Sequence, residues 1–345
     1  MKIGARIVKT GAAVGLALYI SQFFGLEPII FAGIAAAISV QPSLYRSWQN
    51  SWQQLQANIV GAIVGIAVTL LIGTQPYAIA LGVIIVISIN IQFKFMKSIP
   101  LAMVTVLAIM SSPPEQFWEV AGDRFFLIFI GVIASIIMNV FAPPRYEKRL
   151  LQQLFALQED IGLNMRIMVE TERETSHVRA DLKQLSKQLA ELEELYGLHR
   201  EENRFLKRRS FKRSRKLVVL KQMVHTCKSG IDTLTSLEKH HAVLQTDEAA
   251  RQLLDEELQK LAALQERVFV TYVGKLAPHL TDHVATPEDE RALPVQKALR
   301  SFKENEELLL HILPTMLKLN EYKEQLEQLD RTVERYLQQN KPAML

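Results

Sequence analysis

Four cations stand at the margins of long apolar runs: Arg46, Lys94 and Lys97 at the ends of three of them, and Arg124 at the start of the last. A guanidinium or ammonium beside a low-dielectric region attracts carboxylates and phosphates. These four residues are therefore candidates for gathering an organic anion, the first three on one side of a barrier and Arg124 at its opposite mouth. Along the same runs lie Gln41, Asn58, Asn90 and Ser111, with Gln22, Gln92, Asn139, Thr69, Thr105, Ser39, Ser112 and Ser135. An amide or hydroxyl in hydrocarbon is costly unless paired, so each is expected either to bond a neighbouring helix or to line a water-filled path. The cations carry an alternative of their own, as topology anchors that touch no solute.

Other chemistry is sparse. No Gly-x-x-x-x-Gly-Lys-Ser/Thr loop occurs, so hydrolysis of ATP by that route is excluded. His279 and His283 share a helical spacing, with Asp282 beside the second, but zinc needs further ligands and His240-His241 offers less still. No nucleophile, base and acid converge, so no catalytic residue, cofactor or metal is expected and the chain is not read as an enzyme. A lipid-modifying enzyme would need paired carboxylates or His within the apolar runs, which hold neither.

The elements that position these residues follow from an uneven charge distribution. Residues 1–144 contain 7 of the chain's 40 Lys and Arg and 4 of its 36 Asp and Glu, leaving 33 and 32 to residues 145–345. A mean hydropathy of +0.09 thus averages an apolar half with a charged one. The net charge of +4 is spread over two environments and points to no nucleic-acid face. The lone cysteine, Cys227, excludes an intrachain disulfide and suits a reducing compartment.

Six apolar segments are expected as membrane spans, near 7–24, 28–44, 57–73, 76–92, 98–112 and 124–142. Six such runs leave too little polar surface for a soluble core. The stretch after Lys2 and Arg6 resembles a signal peptide, but no small-residue cleavage site follows it, so a retained first helix is expected. The segment Ser43 to Gln56, with Tyr45, Trp48 and Trp52 at helical spacing, reads as an interfacial helix or a helical extension. Lys and Arg set orientation. With an inner amino terminus, Lys2, Arg6, Lys9, Arg46, Lys94, Lys97, Arg145, Lys148 and Arg149 lie inside and only Arg124 outside. The carboxyl-terminal half is then cytoplasmic, and the location is a bacterial inner membrane.

The second and fifth segments are the shortest, bounded by Pro28 and Pro42 and by Pro100 and Pro113. Two triplets of helices related by an inverted two-fold axis are therefore expected, with short helices at matching places aiming backbone dipoles at a ligand. The alternative is two ordinary tilted helices. Gly11 and Gly15, and Ala57, Gly61 and Gly65, form small-residue stripes that let helices approach closely, in a bundle or a dimer.

The run Ser39-Val40-Gln41-Pro42-Ser43-Leu44-Tyr45-Arg46-Ser47-Trp48, followed by Gln56-Ala57-Asn58-Ile59-Val60-Gly61-Ala62-Ile63-Val64-Gly65, resembles the second-to-third helix region of the aromatic acid exporter family, the fusaric-acid-resistance-like proteins. Six spans followed by a helical cytoplasmic half are similar to that family's shorter members. A more distant similarity is to plant aluminium-activated malate transporters, dimeric anion channels. The resemblance implies efflux of organic, aromatic carboxylates by an assembly of at least two subunits. Much of the wider group has a basic residue before the glycine stripe, whereas Gln56, Ala57 and Asn58 stand there in this chain.

In residues 145–345 apolar residues recur three and four apart in stretches around 150–168, 182–196, 217–234, 254–268 and 309–333, so about five long helices are expected in an antiparallel bundle. Thr246 and Thr286 mark helix starts and Pro314 a kink in the last helix. Whether the stripes pair within or between chains stays open. Helices of about 28 to 30 residues would bring Arg204, Lys207, Arg208, Arg209, Lys212, Arg213, Arg215 and Lys216 back to the bilayer. That cluster would hold anionic headgroups or concentrate an anionic solute, unless it is a solvated turn. The overall expectation is an all-α organic-anion transporter or channel. Its rival is a membrane-anchored scaffold or sensor whose helical bundle binds a protein.

Overall fold

The computed structural model describes residues 5–141, 146–170, 175–205, 211–244, 247–273, 294–303 and 306–340. All regular elements among them are helices, in agreement with the all-α expectation, and the chain divides into two compact units, Met1–Pro144 and Arg145–Leu345.

The first unit holds α1 (Ala5–Phe23), α2 (Ile30–Ser39), α3 (Leu44–Leu71), α4 (Pro76–Gln92), α5 (Ile99–Met110) and α6 (Phe117–Phe141), with 3-10 turns at Met96–Ser98 and Pro114–Gln116. Local chemistry sets the ends. Ser43 begins α3 by accepting the backbone N–H of Arg46 at 3.1 Å, and Pro76 opens α4 where a missing N–H costs nothing. Gly25, at φ +65°, turns the chain out of α1 while Leu26 donates to the Ser21 carbonyl.

The helix lengths are unequal, with α2 and α5 the shortest, as expected of the second and fifth segments. Among the described residues α3 and α6, of 28 and 25 residues, are the two helices long and apolar enough to cross a membrane; Ile7–Phe23 and Pro76–Gln92 are shorter apolar helices. The ten residues of α2 and twelve of α5 rise about 15 and 18 Å, roughly half a hydrocarbon layer. The segment expected at 28–44 is short because Ser43 starts a new helix, which merges the expected interfacial stretch and third span into α3.

Each short helix packs against a long one through glycine. A Cβ on Gly131 of α6 would lie 2.4 Å from the Ala32 carbonyl oxygen of α2, and one on Gly61 of α3 would lie 2.7 Å from the Ala102 carbonyl oxygen of α5. Small buried residues on α2, Ala32, Gly33, Ala35 and Ala36, allow that approach. Gly65 likewise faces Val106 and Ile109, and Ala57 is fully buried. At Gly11 and Gly15 an added Cβ meets nothing within 4 Å among the described residues, so of the bundle and dimer contacts expected of that stripe the single chain shows neither.

The second unit comprises α7 (Tyr146–Glu170), α8 (Thr175–Phe205), α9 (Phe211–Leu244), α10 (Glu248–Tyr272), α11 (Pro294–Ser301) and α12 (Glu306–Asn340). The five long helices coincide with the five apolar stripes, and their faces meet in one core that includes Leu154, Ile161, Leu192, Leu220, Leu234, Leu258, Met316 and Leu326. The stripes therefore pair within a single chain. A buried polar thread crosses this core: the Tyr322 hydroxyl donates to Gln265 Oε1 at 2.6 Å, and Gln265 Nε2 donates to the Gln158 carbonyl at 2.9 Å. Asp247, one residue after Thr246, is the cap of α10, accepting the Ala250 N–H at 3.0 Å. Helix α12 runs through Pro314. Thr246, His279, Asp282, His283 and Thr286 lie outside the described residues.

Burial pushes the Cys227 thiol up to about 12, so at pH 8 only about one part in ten thousand is thiolate. The folded protein is expected to resist a thiol-reactive reagent at that pH and to react within seconds after denaturation. Rapid labelling of the native chain would contradict this core.

Candidate functional site

Two polar clusters interrupt the apolar interior of the first unit. The first surrounds the carboxyl end of α2, whose last carbonyls have no partner within the helix. The Ile38 carbonyl accepts from Gln41 Nε2 at 2.8 Å and from Asn50 Nδ2 at 2.9 Å, and the Ser39 carbonyl accepts from the Ser47 hydroxyl. Asn139 Nδ2 of α6 donates to Ser47 Oγ at 2.9 Å, and Lys9 of α1 donates to Asn139 Oδ1 at 3.4 Å. Ser39 Oγ donates to Gln54 Oε1 at 3.1 Å. Yet Gln54 Nε2, Ser51 Oγ and Asn50 Oδ1 are buried without a hydrogen-bond partner.

The second is Arg124, on α6 two turns before Gly131. It is only 7 % exposed, and its guanidinium carbon stands 3.3 Å from the centroid of the Phe31 ring at the start of α2. Its Nη1 has no hydrogen-bond partner, and no ion pair reaches it among the described residues. The close approach at Gly131 holds α2 against α6 and so fixes the ring beneath the cation. A desolvated cation–π contact contributes about 2 kcal/mol, whereas leaving a buried charge uncompensated costs several. The difference favours an anion at the open edge of the guanidinium, which offers paired donors matching a carboxylate.

Residues 1–142 match the family model described as aromatic acid exporter family member 1. Over 337 residues the chain is 36% identical to the UPF0421 protein YgaE of Bacillus subtilis, covering 96% of this chain and 95% of that one. The chain belongs to the aromatic acid exporter family. Shorter similarities, each 26% identical, run over 161 residues to the UPF0421 protein OB2406 of Oceanobacillus iheyensis, 46% of either chain, and over 147 residues to a UPF0421 protein of Bacillus cereus, 42% of this chain and 41% of the other. Membership in an exporter family implies a membrane protein and suggests a transport role.

The other expected site residues of this exporter-family chain scatter. Asn58 is buried, with Oδ1 accepting from the Thr105 hydroxyl at 2.6 Å, and it borders an otherwise apolar groove of about 420 Å³ between α3 and α6. Asn90 Nδ2 donates to the Val86 carbonyl at 2.8 Å while its Oδ1 is unpartnered. Gln41 caps α2, and Arg46 occupies the first turn of α3. Ser111 caps α5 at the surface, and Lys94 and Lys97 are exposed between α4 and α5. Among the described residues no hydrogen bond joins them to Arg124, although Ala121 and Phe125, on either side of it in α6, line the same groove as Asn58. Of the basic cluster, Lys207, Arg208 and Arg209 lie outside the described residues, as do the side chains of Arg204, Lys212 and Arg213; Arg215 is exposed and Lys216 pairs with Glu147. Gln54, Ser51 and Asn50 were not among the expected site residues. Their signal was a polar face at three and four spacing, masked by the tryptophans that made the segment look interfacial.

Lys94 sits at φ 61°, a left-handed conformation that costs a non-glycine residue about 1 kcal/mol. Lys94→Gly is therefore expected to raise the melting temperature in detergent by a few degrees. The same change removes the charge, so loss of function in this stabilised variant would assign the loss to the cation rather than to damaged folding.

Proposed function

We propose that this protein exports organic anions, aromatic carboxylates above all, across the inner membrane, with the first unit as the conduit and Arg124 as the group that receives the substrate carboxylate. The observation that carries this reading is a buried, stacked guanidinium with an unpartnered nitrogen inside a unit that belongs to an exporter family. A resident structural arginine would be expected to have a carboxylate partner.

The same reading takes the six helices as a transmembrane bundle of two inverted triplets, with the second unit cytoplasmic and the assembly a homo-oligomer in the bilayer. Helix bounds support the triplets. A shift of 70 residues carries Ala5–Phe23 to 75–93, Ile30–Ser39 to 100–109 and Leu44–Leu71 to 114–141, beside the observed Pro76–Gln92, Ile99–Met110 and Phe117–Phe141. It carries Gly61 onto Gly131 and Ala32 onto Ala102, so the two glycine contacts exchange. Helices that stop half-way, in matching places, are the arrangement that exposes backbone dipoles to a ligand.

A deletion strain grown on a panel of aromatic and aliphatic carboxylic acids tests the assignment. Increased sensitivity to aromatic acids, reversed by the wild-type chain and not by Arg124→Gln at equal membrane abundance, is the expected result. Unchanged sensitivity across the panel would remove the exporter reading.

A further inference from the structure

We propose that Gln54, with Ser51, forms a second anion-binding position, equivalent to Arg124 by the internal repeat and receiving the substrate carboxylate at a separate point of its passage. This rests on the transport reading above and extends it to a residue that reading does not use.

The shift of 70 residues that superposes the triplets places Gln54 of α3 on Arg124 of α6. Neither the helix bounds nor the glycine contacts that define this shift involve either side chain. Yet the two positions share an uncommon property. Each is more than nine-tenths buried, and each carries an N–H donor with no partner, Nε2 of Gln54 and Nη1 of Arg124. A buried donor left unpaired costs roughly 1 to 3 kcal/mol, so two at equivalent sites are better explained by a shared ligand than by two separate defects.

The chemistry of the Gln54 position suits a carboxylate. Its Oε1 is occupied by the Ser39 hydroxyl, which orients the amide so that Nε2 remains free. Ser51, one turn away on the same face of α3, has a buried hydroxyl without a partner, a second donor at the i, i+3 spacing. Amide and hydroxyl together replace the two donors that one guanidinium supplies. A cation lies in the same polar cluster, because Lys9 donates to Asn139 and Asn139 to Ser47, one turn before Ser51. Asn50 Oδ1, an acceptor in the same region, would hold a water or a substrate hydroxyl. Two stations at opposite ends of α2, about 12 Å apart along that helix, let an anion leave one donor set and enter the other, and the neutral set binds more weakly than the guanidinium.

The test uses the purified full-length protein in liposomes, with radiolabelled benzoate added from one face or the other in separate experiments. Gln54→Met is expected to raise the half-saturating benzoate concentration at least tenfold from one face and to leave it within twofold from the other. Arg124→Gln is expected to show the opposite sidedness. If Gln54→Met fails to accumulate, Gln54→Glu carries the test, since it retains the oxygen that accepts from Ser39 and replaces only the free donor. Both faces unchanged, or both variants acting on the same face, overturns the second station and leaves the exporter reading standing. No flux from the wild type overturns both. A merely structural Gln54 would lower folded yield or affect both faces equally, and either pattern counts against the proposal.

Discussion

Gly131→Ala is expected to destabilise the first unit by about 3 kcal/mol or more, with a large fall in folded protein recovered from membranes. The added Cβ would stand 2.4 Å from the Ala32 carbonyl oxygen, 2.8 Å from Ala35 Cβ and 2.9 Å from the Ala36 nitrogen. Two of these are backbone atoms of α2, so no side-chain rotation relieves the overlap and the short helix itself must move. That movement lifts Phe31 away from Arg124, and the guanidinium loses its stacking contact along with its orientation. Gly11→Ala on α1 is the control, because open space surrounds it and alanine is the better helix former by about 1 kcal/mol. Thermal unfolding of both variants in detergent measures the contrast. Equal melting temperatures would show that α2 and α6 are not in close contact at Gly131.

Arg124→Met carries the second large effect, in which activity and stability are expected to move in opposite directions. Transport of an aromatic carboxylate is expected to fall at least a hundredfold, because the paired donors that receive the anion are gone. Stability is expected to hold or to rise by about 1 kcal/mol or more, since an uncompensated buried charge is exchanged for an apolar side chain of similar length. Arg124→Lys retains the charge without the planar fork and is expected to fall between the two in flux. Parallel flux and melting measurements on one set of preparations decide this. A variant that is less stable and transports normally would make Arg124 a structural residue.

Much of the architecture was legible because it follows from periodicity and from local stereochemistry. The stripe through Leu150, Leu154, Leu157 and Ile161 predicts α7, and all four side chains are fully or almost fully buried. Pro76 marks the start of α4 at its observed residue. Small residues before Gly61 and Gly65 predict a close helix contact, and Ala102, Val106 and Ile109 make it. Gly11 and Gly15 show the limit of such patterns, since spacing alone does not say which face a partner occupies. Tryptophan at helical spacing over residues 44–56 suits an interfacial helix as well as a continuous one; the backbone resolves it through the Ser43 cap.

The site was legible in part. Arg124 was expected as a cation at the mouth of a span, but its burial and its stacking on Phe31 depend on a contact across 93 residues of sequence. The polar face of Ser47, Asn50, Ser51 and Gln54 is visible as spacing. Its meaning depends on the carbonyls at the end of α2, which periodicity does not locate. Lys94 and Lys97 read from sequence as equals of Arg124, whereas burial separates them: both lysines are exposed and the arginine is enclosed.

The most direct measurement is efflux of labelled 4-hydroxybenzoate from liposomes containing the purified chain, against empty vesicles and against vesicles containing Arg124→Met. The account predicts release well above the empty-vesicle rate for the wild type and release indistinguishable from it for the variant. Wild-type vesicles that release the acid no faster than empty ones, under every imposed ion gradient, would contradict it.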